Sequence, residues 1–386
     1  MKPTRVLWLI KGLGLGGAEK LLVLATPYLD RTRFQYEVAY FLPWKSAVVP
    51  DLEQAGLPVT CLNHTHPLDL RVVGRLARFL RERRIDLVHA HMPYAGVVGR
   101  LAARLVGAAA VYTEHNVQER FHALSRLANQ ATARLCDRII AVSDEVSASL
   151  RGSPLLHGIP VRTVPNGVDV PGLQREAAES DGVRGEFGIA PDQPIVGVVN
   201  VFRPQKRLNL WIRVARRIAD GEPAAAFLVV GDGQHRQDLV ALARRMGLEG
   251  QMHFPGLRRD APRLMAAFDV FMLSSIYEGL PVAVLEAMAL ARPIVAMRVG
   301  GLPGVVQDGR HGYLVDPDDP EALADRVLHL LRNPSIRRAM GEAARARVQE
   351  AYSIEQMVRA TEDVYVEVLG GKSPGPVLLA KAGDRR

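Results

Sequence analysis

The chain has 386 residues, enough for two domains of ordinary size. Apolar residues make up 48% and charged residues 23%, as in a soluble globular protein with sizeable cores. The two cysteines, Cys61 and Cys136, lie far apart and lack metal-type spacing. This excludes a disulfide framework and a cysteine-based zinc site, and it favours a reducing compartment.

The first residues show no pattern for export. The apolar run at residues 6–10 ends at Lys11, whereas the apolar core of a signal peptide needs about 7–15 residues. No window approaches the roughly 18–20 apolar residues of a membrane-spanning helix. We therefore expect a cytoplasmic protein.

The net charge of +8 is unevenly distributed. Residues 1–168 carry 21 Lys and Arg against 13 Asp and Glu, whereas residues 169–386 carry 28 of each. Such an asymmetry suggests that the first half meets an anionic partner: a membrane, a nucleic acid or an acidic substrate. The alternative is a basic surface that only meets solvent.

In the first half, short apolar runs alternate with amphipathic segments. Strands are predicted at residues 6–10, 36–42, 86–90, 109–113 and 138–142, and helices at residues 18–29, 68–84 and 144–150. Alternation of this kind indicates right-handed βαβ units and a parallel sheet. The turn-rich segment 165–169 and the polar stretch 174–188 then mark a domain boundary.

The second half repeats the pattern. Strands are predicted at residues 195–200, 225–231, 252–254, 270–274 and 293–297, and helices at residues 208–219, 237–246, 261–267, 282–290 and 320–331. We predict an α/β protein of two Rossmann-like domains, residues 1–168 and 169–350, whose strand-to-helix loops face a central cleft. A helix at residues 351–370 is expected to pack back on the first domain, and residues 371–386 form a disordered tail.

Two carboxylates eight residues apart, Glu278 and Glu286, mark the most informative segment. Glu278 follows a predicted strand, and Pro281 fits the first position of the next helix, so that Glu286 lies about one turn inside it. The free N–H groups and positive dipole of that helix end suit a diphosphate. Gly279 permits close approach of the backbone. The alternative is a capped helix with two solvated glutamates.

This segment resembles a known family. Residues 278–286 match the Glu-x7-Glu signature of retaining glycosyltransferases with the GT-B fold, in particular glycosyltransferase family 4. Further segments resemble the family in the same order: residues 164–169, 229–233, 285–289, 292–296, 300–301 and 308–315. The resemblance covers nearly the whole chain and implies a GT-B fold, with the first domain binding an acceptor and the second a nucleotide sugar.

The resemblance also implies roles for individual residues. Glu278 would bind hydroxyls of the donor sugar beside the reacting carbon, and Glu286 would accept hydrogen bonds from the ribose hydroxyls. Arg203 and Lys206 would bind the diphosphate, where negative charge develops as it leaves. Many family members carry the arginine further upstream, where this chain has Val201. The remaining donor-binding positions on the same loop would be Gly279, Leu280 and Pro281.

In the first half, a glycine loop follows a predicted strand. Gly12, Gly14 and Gly17 satisfy the dinucleotide fingerprint G-x-G-x-x-G, but Glu37 begins the next strand instead of ending it. The family carries Gly-Gly-Ala-Glu here, and the resemblance implies that the amides of Gly16 and Gly17 approach the donor phosphate or the acceptor.

Three histidines lie in or directly after predicted strands of this half. His115 resembles the family histidine that contacts a donor-sugar hydroxyl; the alternative is a structural histidine. His89 and His91 also resemble a family motif and are interpreted as mainly packing residues. In the second half, Arg258 could lie near the base or the phosphates.

The resemblance suggests front-face substitution, in which the leaving phosphate takes the acceptor proton, instead of the covalent intermediate of retaining glycosidases. The resemblance also implies that no metal ion and no cofactor take part; Asp316 and Asp318 have the Asp-x-Asp form, but they lie in a proline-containing turn. The donor would be a nucleotide sugar, and the acceptor a sugar, a lipid-linked glycan or a polysaccharide. Nucleic acid is not an expected partner.

A basic helix points to a membrane as a further partner. Six arginines lie on the predicted helix at residues 68–84: Arg71, Arg75, Arg78, Arg81, Arg83 and Arg84. We expect this helix to dock the first domain on an anionic membrane surface, unless its arginines only form a solvated face.

Other functions remain open at this stage. A sugar-nucleotide epimerase or a phosphorylase would share the GT-B fold, although we identify no cofactor lysine for a phosphorylase. An NAD-dependent oxidoreductase would explain the glycine loop alone. An inactive nucleotide-sugar-binding protein is disfavoured by the intact pair Glu278 and Glu286.

Overall fold

A computed structural model describes residues 2–64, 69, 71–118 and 121–370. The chain forms two compact units. Unit 1 comprises the described residues of Met1–Ala141, Ser147–Val164 and Val358–Arg386, and unit 2 comprises Val142–Val146 and Pro165–Met357. The tail predicted at residues 371–386 lies outside the described residues, as do Leu68 and Leu70 of the predicted basic helix.

Unit 1 is built on a parallel sheet. Among the described residues the sheet has seven strands in the order β3-β2-β1-β4-β5-β6-β7. The strands are β1 (Thr4–Ile10), β2 (Phe34–Tyr40), β3 (Val59–Cys61), β4 (Leu87–His91), β5 (Ala109–Glu114), β6 (Arg138–Ala141) and β7 (Val161–Thr163). The helices of this part of the chain are α1 (Gly17–Ala25), α2 (Val49–Gln54), α3 (Arg71–Glu82), α4 (Pro93–Val106), α5 (Ala123–Thr132) and α6 (Asp144–Arg151).

Unit 2 repeats the architecture with a second parallel sheet. Its described strands follow the order β10-β9-β8-β11-β12-β13. They are β8 (Ile195–Val199), β9 (Ala226–Val230), β10 (Met252–Gly256), β11 (Val270–Leu273), β12 (Ile294–Met297) and β13 (Gly312–Val315). The helices are α7 (Val170–Ala178), α8 (Val183–Glu186), α9 (Leu208–Gly221), α10 (Arg236–Arg245), α11 (Ala261–Ala266), α12 (Val282–Ala289), α13 (Leu302–Val305), α14 (Ala322–Arg332) and α15 (Pro334–Ala351).

The central strands are continuous apolar runs because helices cover both faces of each sheet. In β1, the residues from Val6 to Ile10 are all buried. In β11 the run Val270–Leu273 is equally buried. The predicted α/β class with two parallel-sheet domains is therefore confirmed.

The last helix, α16 (Ile354–Gly370), belongs to unit 1 from Val358 onward. Its Tyr365 is fully buried, and the hydroxyl accepts a hydrogen bond from Trp8 Nε1 at 3.2 Å. Tyr36 donates to Glu362 Oε1 of the same helix at 2.6 Å. The end of the described chain thus completes the core of unit 1.

Some helices lie where none is predicted from the sequence. α4 and α5 occupy stretches without a prediction, and α7 and α8 lie in or beside the polar stretch 174–188. The predicted boundary after residue 168 lies close to the change of unit at Pro165. Among the described residues, no helix combines the length and the apolar character needed to span a bilayer.

Candidate functional site

The loop between β11 and α12 in unit 2 holds both predicted carboxylates. Glu278 is buried on this loop, and Glu286 is the fifth residue of α12 and is also buried. Pro281, predicted at the first helical position, is the residue before it, with extended φ and ψ of −71° and 121°. The helix begins at Val282, as in the predicted range 282–290, and its start directly follows the loop that carries Glu278.

Glu278 forms an ion pair with Lys206. Lys206 Nζ lies 2.6 Å from Glu278 Oε1, and the side chains are only 13% and 6% exposed. Each charge can remain buried because the other neutralises it. Two residues that are 72 positions apart, both predicted to bind the donor, are thereby in direct contact.

Hydrogen bonds between two loops place Lys206 beside Glu278. The Ser274 hydroxyl donates to the carbonyl oxygen of Lys206 at 2.9 Å. The Ile276 N–H donates to the carbonyl of Gln205 at 2.8 Å, and the Tyr277 hydroxyl donates to Gln205 Oε1 at 3.1 Å. The position of the ion pair therefore depends on backbone as well as side-chain contacts.

Gly300 and Gly301, which follow β12, pack against the backbone of the loop that carries Glu278. Gly300 has a φ of +58°, and a Cβ there would lie 1.7 Å from the carbonyl oxygen of Glu278. The N–H of Gly301 donates to the carbonyl of Gly279 at 2.9 Å, and a Cβ at Gly301 would lie 2.1 Å from that oxygen. Only glycine allows this close approach.

Asn166 also contacts this loop, although the sequence predicts no individual role for it. Asn166 is buried, and its amide Nδ2 donates to the carbonyl of Leu280 at 2.7 Å. In the sequence this asparagine is part of a turn between Pro165 and Gly167, and its buried amide distinguishes it from an ordinary turn residue.

Arg203 and Arg258 do not join the ion pair. Arg203 is exposed at the start of the turn that carries Lys206. Arg258 donates from Nε and Nη2 to the carboxylate of Asp260, both at 2.7 Å, and also pairs with Glu186. These two carboxylates raise the pKa of Arg258. The donor-binding roles of both arginines stay predictions.

In unit 1, the three predicted histidines form one cluster. His91 Nδ1 lies 3.3 Å from His115 Nε2. His89 Nδ1 lies 2.5 Å from the Tyr365 hydroxyl, and its Nε2 lies 2.7 Å from Thr113 Oγ1. His89 and His91 are buried, whereas His115 is partly exposed at the end of β5.

Burial keeps these histidines uncharged at neutral pH. Burial lowers the pKa of His115 to about 4 and that of His89 to about 3, and it also holds the pKa of His91 well below the ordinary value. A neutral imidazole both donates and accepts a hydrogen bond, which suits a sugar hydroxyl.

A buried carboxylate fixes the loop that carries His115. Glu114 is fully buried and accepts hydrogen bonds from the backbone N–H of His115 at 3.0 Å and that of Asn116 at 3.4 Å. The Tyr112 hydroxyl at 2.9 Å and the Gln118 amide donate to its other oxygen. Burial raises the pKa of Glu114 to about 7, although its hydrogen bonds act in the opposite direction. The sequence assigns Glu114 no role.

The glycine loop leads into α1, as predicted. Gly16 is the N-cap with an extended φ of −95°, and Gly17 begins the helix. A Cβ on Gly16 would lie 2.3 Å from Glu19 Oε2. In the described part of the chain, no group of three or more His, Cys, Asp or Glu side chains is arranged to hold a metal ion.

Two family profiles together match most of the chain. The profile of glycosyltransferase family 4 matches residues 15–170, and that of glycosyl transferases group 1 matches residues 180–347. An alpha-maltose-1-phosphate synthase from Mycolicibacterium smegmatis is 30% identical over 305 residues, which cover 73% of this chain and 79% of the relative. The chain belongs to glycosyltransferase family 4.

Other family relatives match over similar lengths. An Escherichia coli UDP-Gal:alpha-D-GlcNAc-diphosphoundecaprenol alpha-1,3-galactosyltransferase is 24% identical over 328 residues, covering 82% of this glycosyltransferase and 84% of the relative. The Anabaena HepE crystal structure in complex with UDP and glucose is 25% identical, with a TM-score of 0.81, and covers 94% of this chain and 99% of HepE. The GT-B prediction is confirmed, and neither the epimerase nor the oxidoreductase is favoured for this family 4 glycosyltransferase.

Proposed function

We propose that this glycosyltransferase moves a sugar from a nucleoside diphosphate sugar to a hydroxyl acceptor, with retention of the anomeric configuration and without a metal ion. The buried Lys206–Glu278 ion pair carries the proposal, because it places a cation and a carboxylate together at the start of α12. The likeness to HepE, whose structure holds UDP and glucose, supports a nucleotide-sugar donor.

The predicted site residues of unit 2 bind different parts of the nucleotide sugar. Lys206 binds the diphosphate and neutralises the negative charge that develops as it leaves. Glu278 accepts hydrogen bonds from the donor-sugar hydroxyls, and Glu286 accepts those of the ribose. The backbone of Gly279, Leu280 and Pro281 borders the sugar, and the N–H groups at the start of α12 favour an anion there.

The transfer itself is proposed as a front-face substitution. The acceptor oxygen bonds to the anomeric carbon as the bond from that carbon to the diphosphate oxygen breaks, and the acceptor proton passes to the leaving phosphate. Neutral His115 orients a donor-sugar hydroxyl and adds no positive charge.

The acceptor is proposed to be a lipid-linked or other cell-envelope glycan, reached from the cytoplasmic face of a membrane. The excess positive charge of residues 1–168 supports this proposal, since anionic lipids attract a basic surface. The name of the Escherichia coli relative gives a diphosphoundecaprenol-linked acceptor for that protein.

A thermal-shift panel of UDP-, GDP- and ADP-sugars tests the donor proposal. A donor present at about 100 times its Kd stabilises the fold by about 2.7 kcal/mol, which raises Tm measurably. The enzyme is then incubated with the nucleotide sugar that raises Tm and with candidate acceptors. The anomeric configuration of the product is determined by NMR. A product of inverted configuration, or a reaction that stops on adding EDTA, contradicts the proposed mechanism, and the absence of any shift contradicts the donor proposal.

A further inference from the structure

Helix α5 exposes an apolar face. Leu124 is 72% exposed and Leu127 is 56% exposed. Ala128 and Ala131 are exposed as well, and the four residues have the i, i+3, i+4, i+7 spacing of one helix face. We call these four residues the α5 stripe. A helix at a protein surface normally turns such a stripe toward the core, so the outward stripe indicates a binding surface.

A neighbouring turn adds to this surface. Leu155 lies in the one-turn helix Pro154–Leu156, which contacts α5, and it is 47% exposed. Among the residues of α5, only Asn129 is buried. The side chains that hold α5 on unit 1 are therefore few, and most of the helix faces outward.

The charges around the α5 stripe are positive. Arg126 lies on α5, Arg134 follows it, and Arg151 precedes the turn that carries Leu155. Residues 121–135 and 147–163 contain no Asp or Glu. An apolar stripe with arginines near it in the chain complements an anionic, partly apolar surface.

The helix predicted from the sequence to dock on a membrane, α3, is built differently. Four of its apolar residues, including Leu76 and Leu80, are buried in unit 1, and Val73 and Phe79 are partly exposed. Asp69 pairs with Arg71 at 2.9 Å and with Arg75 at 3.6 Å, which reduces the charge available to a partner. α3 thus offers exposed arginines and less exposed apolar surface than α5.

We propose that the α5 stripe and Leu155 dock unit 1 on an anionic lipid bilayer. The leucines enter the boundary between head groups and acyl chains, and the arginines pair with lipid phosphates. This inference deepens the proposed membrane association and rests on it. Two other occupants have unsuitable charge: a second copy of this chain is basic at the same face, and residues 371–386 contain four Lys and Arg against one Asp.

Vesicle flotation tests the proposal with purified full-length protein. The vesicles contain phosphatidylcholine alone or phosphatidylcholine mixed with phosphatidylglycerol. We expect wild-type protein to float with the mixed vesicles at low salt and not with the neutral ones. Leu124→Ser combined with Leu127→Ser should lower the partition coefficient about tenfold or more. Arg126→Gln with Arg151→Gln should also lower it, and high salt should reduce wild-type binding.

A matched control isolates the surface from general hydrophobicity. Leu257 in unit 2 is 55% exposed, close to the 56% of Leu127. Leu127→Ser should weaken vesicle binding, whereas Leu257→Ser should leave it unchanged. Circular dichroism and Tm of all variants verify the fold, since substitutions at exposed positions normally change stability little.

Several outcomes would overturn the proposal. Absence of wild-type binding to the mixed vesicles does so, and so does undiminished binding of the double leucine variant. Loss of binding only in Arg71→Gln with Arg75→Gln would assign the surface to α3. A wild-type dimer that the leucine variant converts to a monomer, or vesicle binding that appears only after residues 371–386 are removed, would identify another occupant. Donor-induced thermal shifts, measured without lipid, report separately on the proposed transferase function.

Discussion

Two buried glutamates follow strands of the two units, and their surroundings differ. Glu278 in unit 2 is paired with Lys206 at 2.6 Å. Glu114 in unit 1 is held by neutral donors, namely backbone N–H groups, the Tyr112 hydroxyl and the Gln118 amide. A lysine side chain that is paired with a carboxylate can reorient and bind an arriving diphosphate, whereas backbone N–H donors are fixed in position. The comparison supports the proposed ligand binding by Glu278, and the hydrogen bonds to Glu114 show that the latter positions its loop.

The largest expected effect comes from removing the carboxylate of unit 2. Glu278→Ala should lower the rate of transfer by about a thousandfold or more, because the donor sugar loses its acceptor group beside the reacting carbon. Single-turnover assays with saturating donor measure it. Since the change leaves Lys206 buried without its partner, Glu278→Gln serves as the variant with a retained fold, checked by circular dichroism. Near wild-type turnover of the Gln variant would show that the site is assigned wrongly.

We expect the second-largest effect from replacing Gly300, which packs against the same loop. Gly300→Ala forces a Cβ into the carbonyl oxygen of Glu278 at a φ of +58°, so we expect about 2–4 kcal/mol of destabilisation and a lower kcat. Urea unfolding and steady-state kinetics measure the two effects. Gly304→Ala is the matched control, because a Cβ at Gly304 meets no atom within 4 Å. Equal effects of the two substitutions would contradict the support role of Gly300.

Replacing Lys206 should weaken donor binding more than it slows the chemical step. Lys206→Ala removes the positive charge proposed to hold the diphosphate, so KM for the nucleotide sugar should rise by about 30-fold, equivalent to about 2 kcal/mol. Lys206→Met retains most of the side-chain volume and should behave in the same way if charge is what matters. An unchanged KM in both variants would place the diphosphate elsewhere.

The smallest effect concerns the dependence of stability on pH. The lowered pKa values of His89 and His115 mean that the unfolded chain binds protons below pH 6.5 that the native chain does not, so stability falls on acidification. The raised pKa of Glu114, about 7, acts oppositely between its ordinary value of 4.5 and pH 7. Glu114→Gln removes that opposing contribution.

We therefore expect the free energy of unfolding of the Gln variant to fall more steeply between neutral pH and about pH 5, by up to about 1.4 kcal/mol per pH unit. Urea titrations across this range measure the slope. Glu82→Gln, at an exposed position of α3, is the control and should keep the wild-type slope. A slope unchanged by Glu114→Gln would show that the native carboxyl titrates as it does in the unfolded chain.

The sequence predicts ten of the thirteen described strands, because these are short apolar runs between turn residues, and it misses the edge strands β3, β7 and β13. The strand predicted at residues 270–274 is β11, Val270–Leu273. α4 is missed because its glycines suggest a loop: a Cβ on Gly99 would lie 2.9 Å from Leu9, so glycine here serves close packing on the sheet. α5 is missed although its leucines and alanines have helical spacing, and that spacing does not reveal that this helix face is exposed.

For the candidate site, the resemblance identifies Lys206 and Glu278, but their ion pair depends on hydrogen bonds between loops that are far apart in sequence. The role of Glu114 is invisible in the sequence, because a single glutamate between a strand and a histidine forms no pattern. Its function follows only from the N–H groups that converge on it.

The position of α16 has a consequence for biosynthesis. Tyr365, buried against Trp8 and His89, leaves the ribosome long after the strands that it covers. Unit 1 can complete its core only after all residues of unit 2 have been synthesised, because its last helix follows them in the chain. A nascent chain that ends before residue 358 therefore lacks Glu362 and Tyr365, whose side chains complete the core of unit 1.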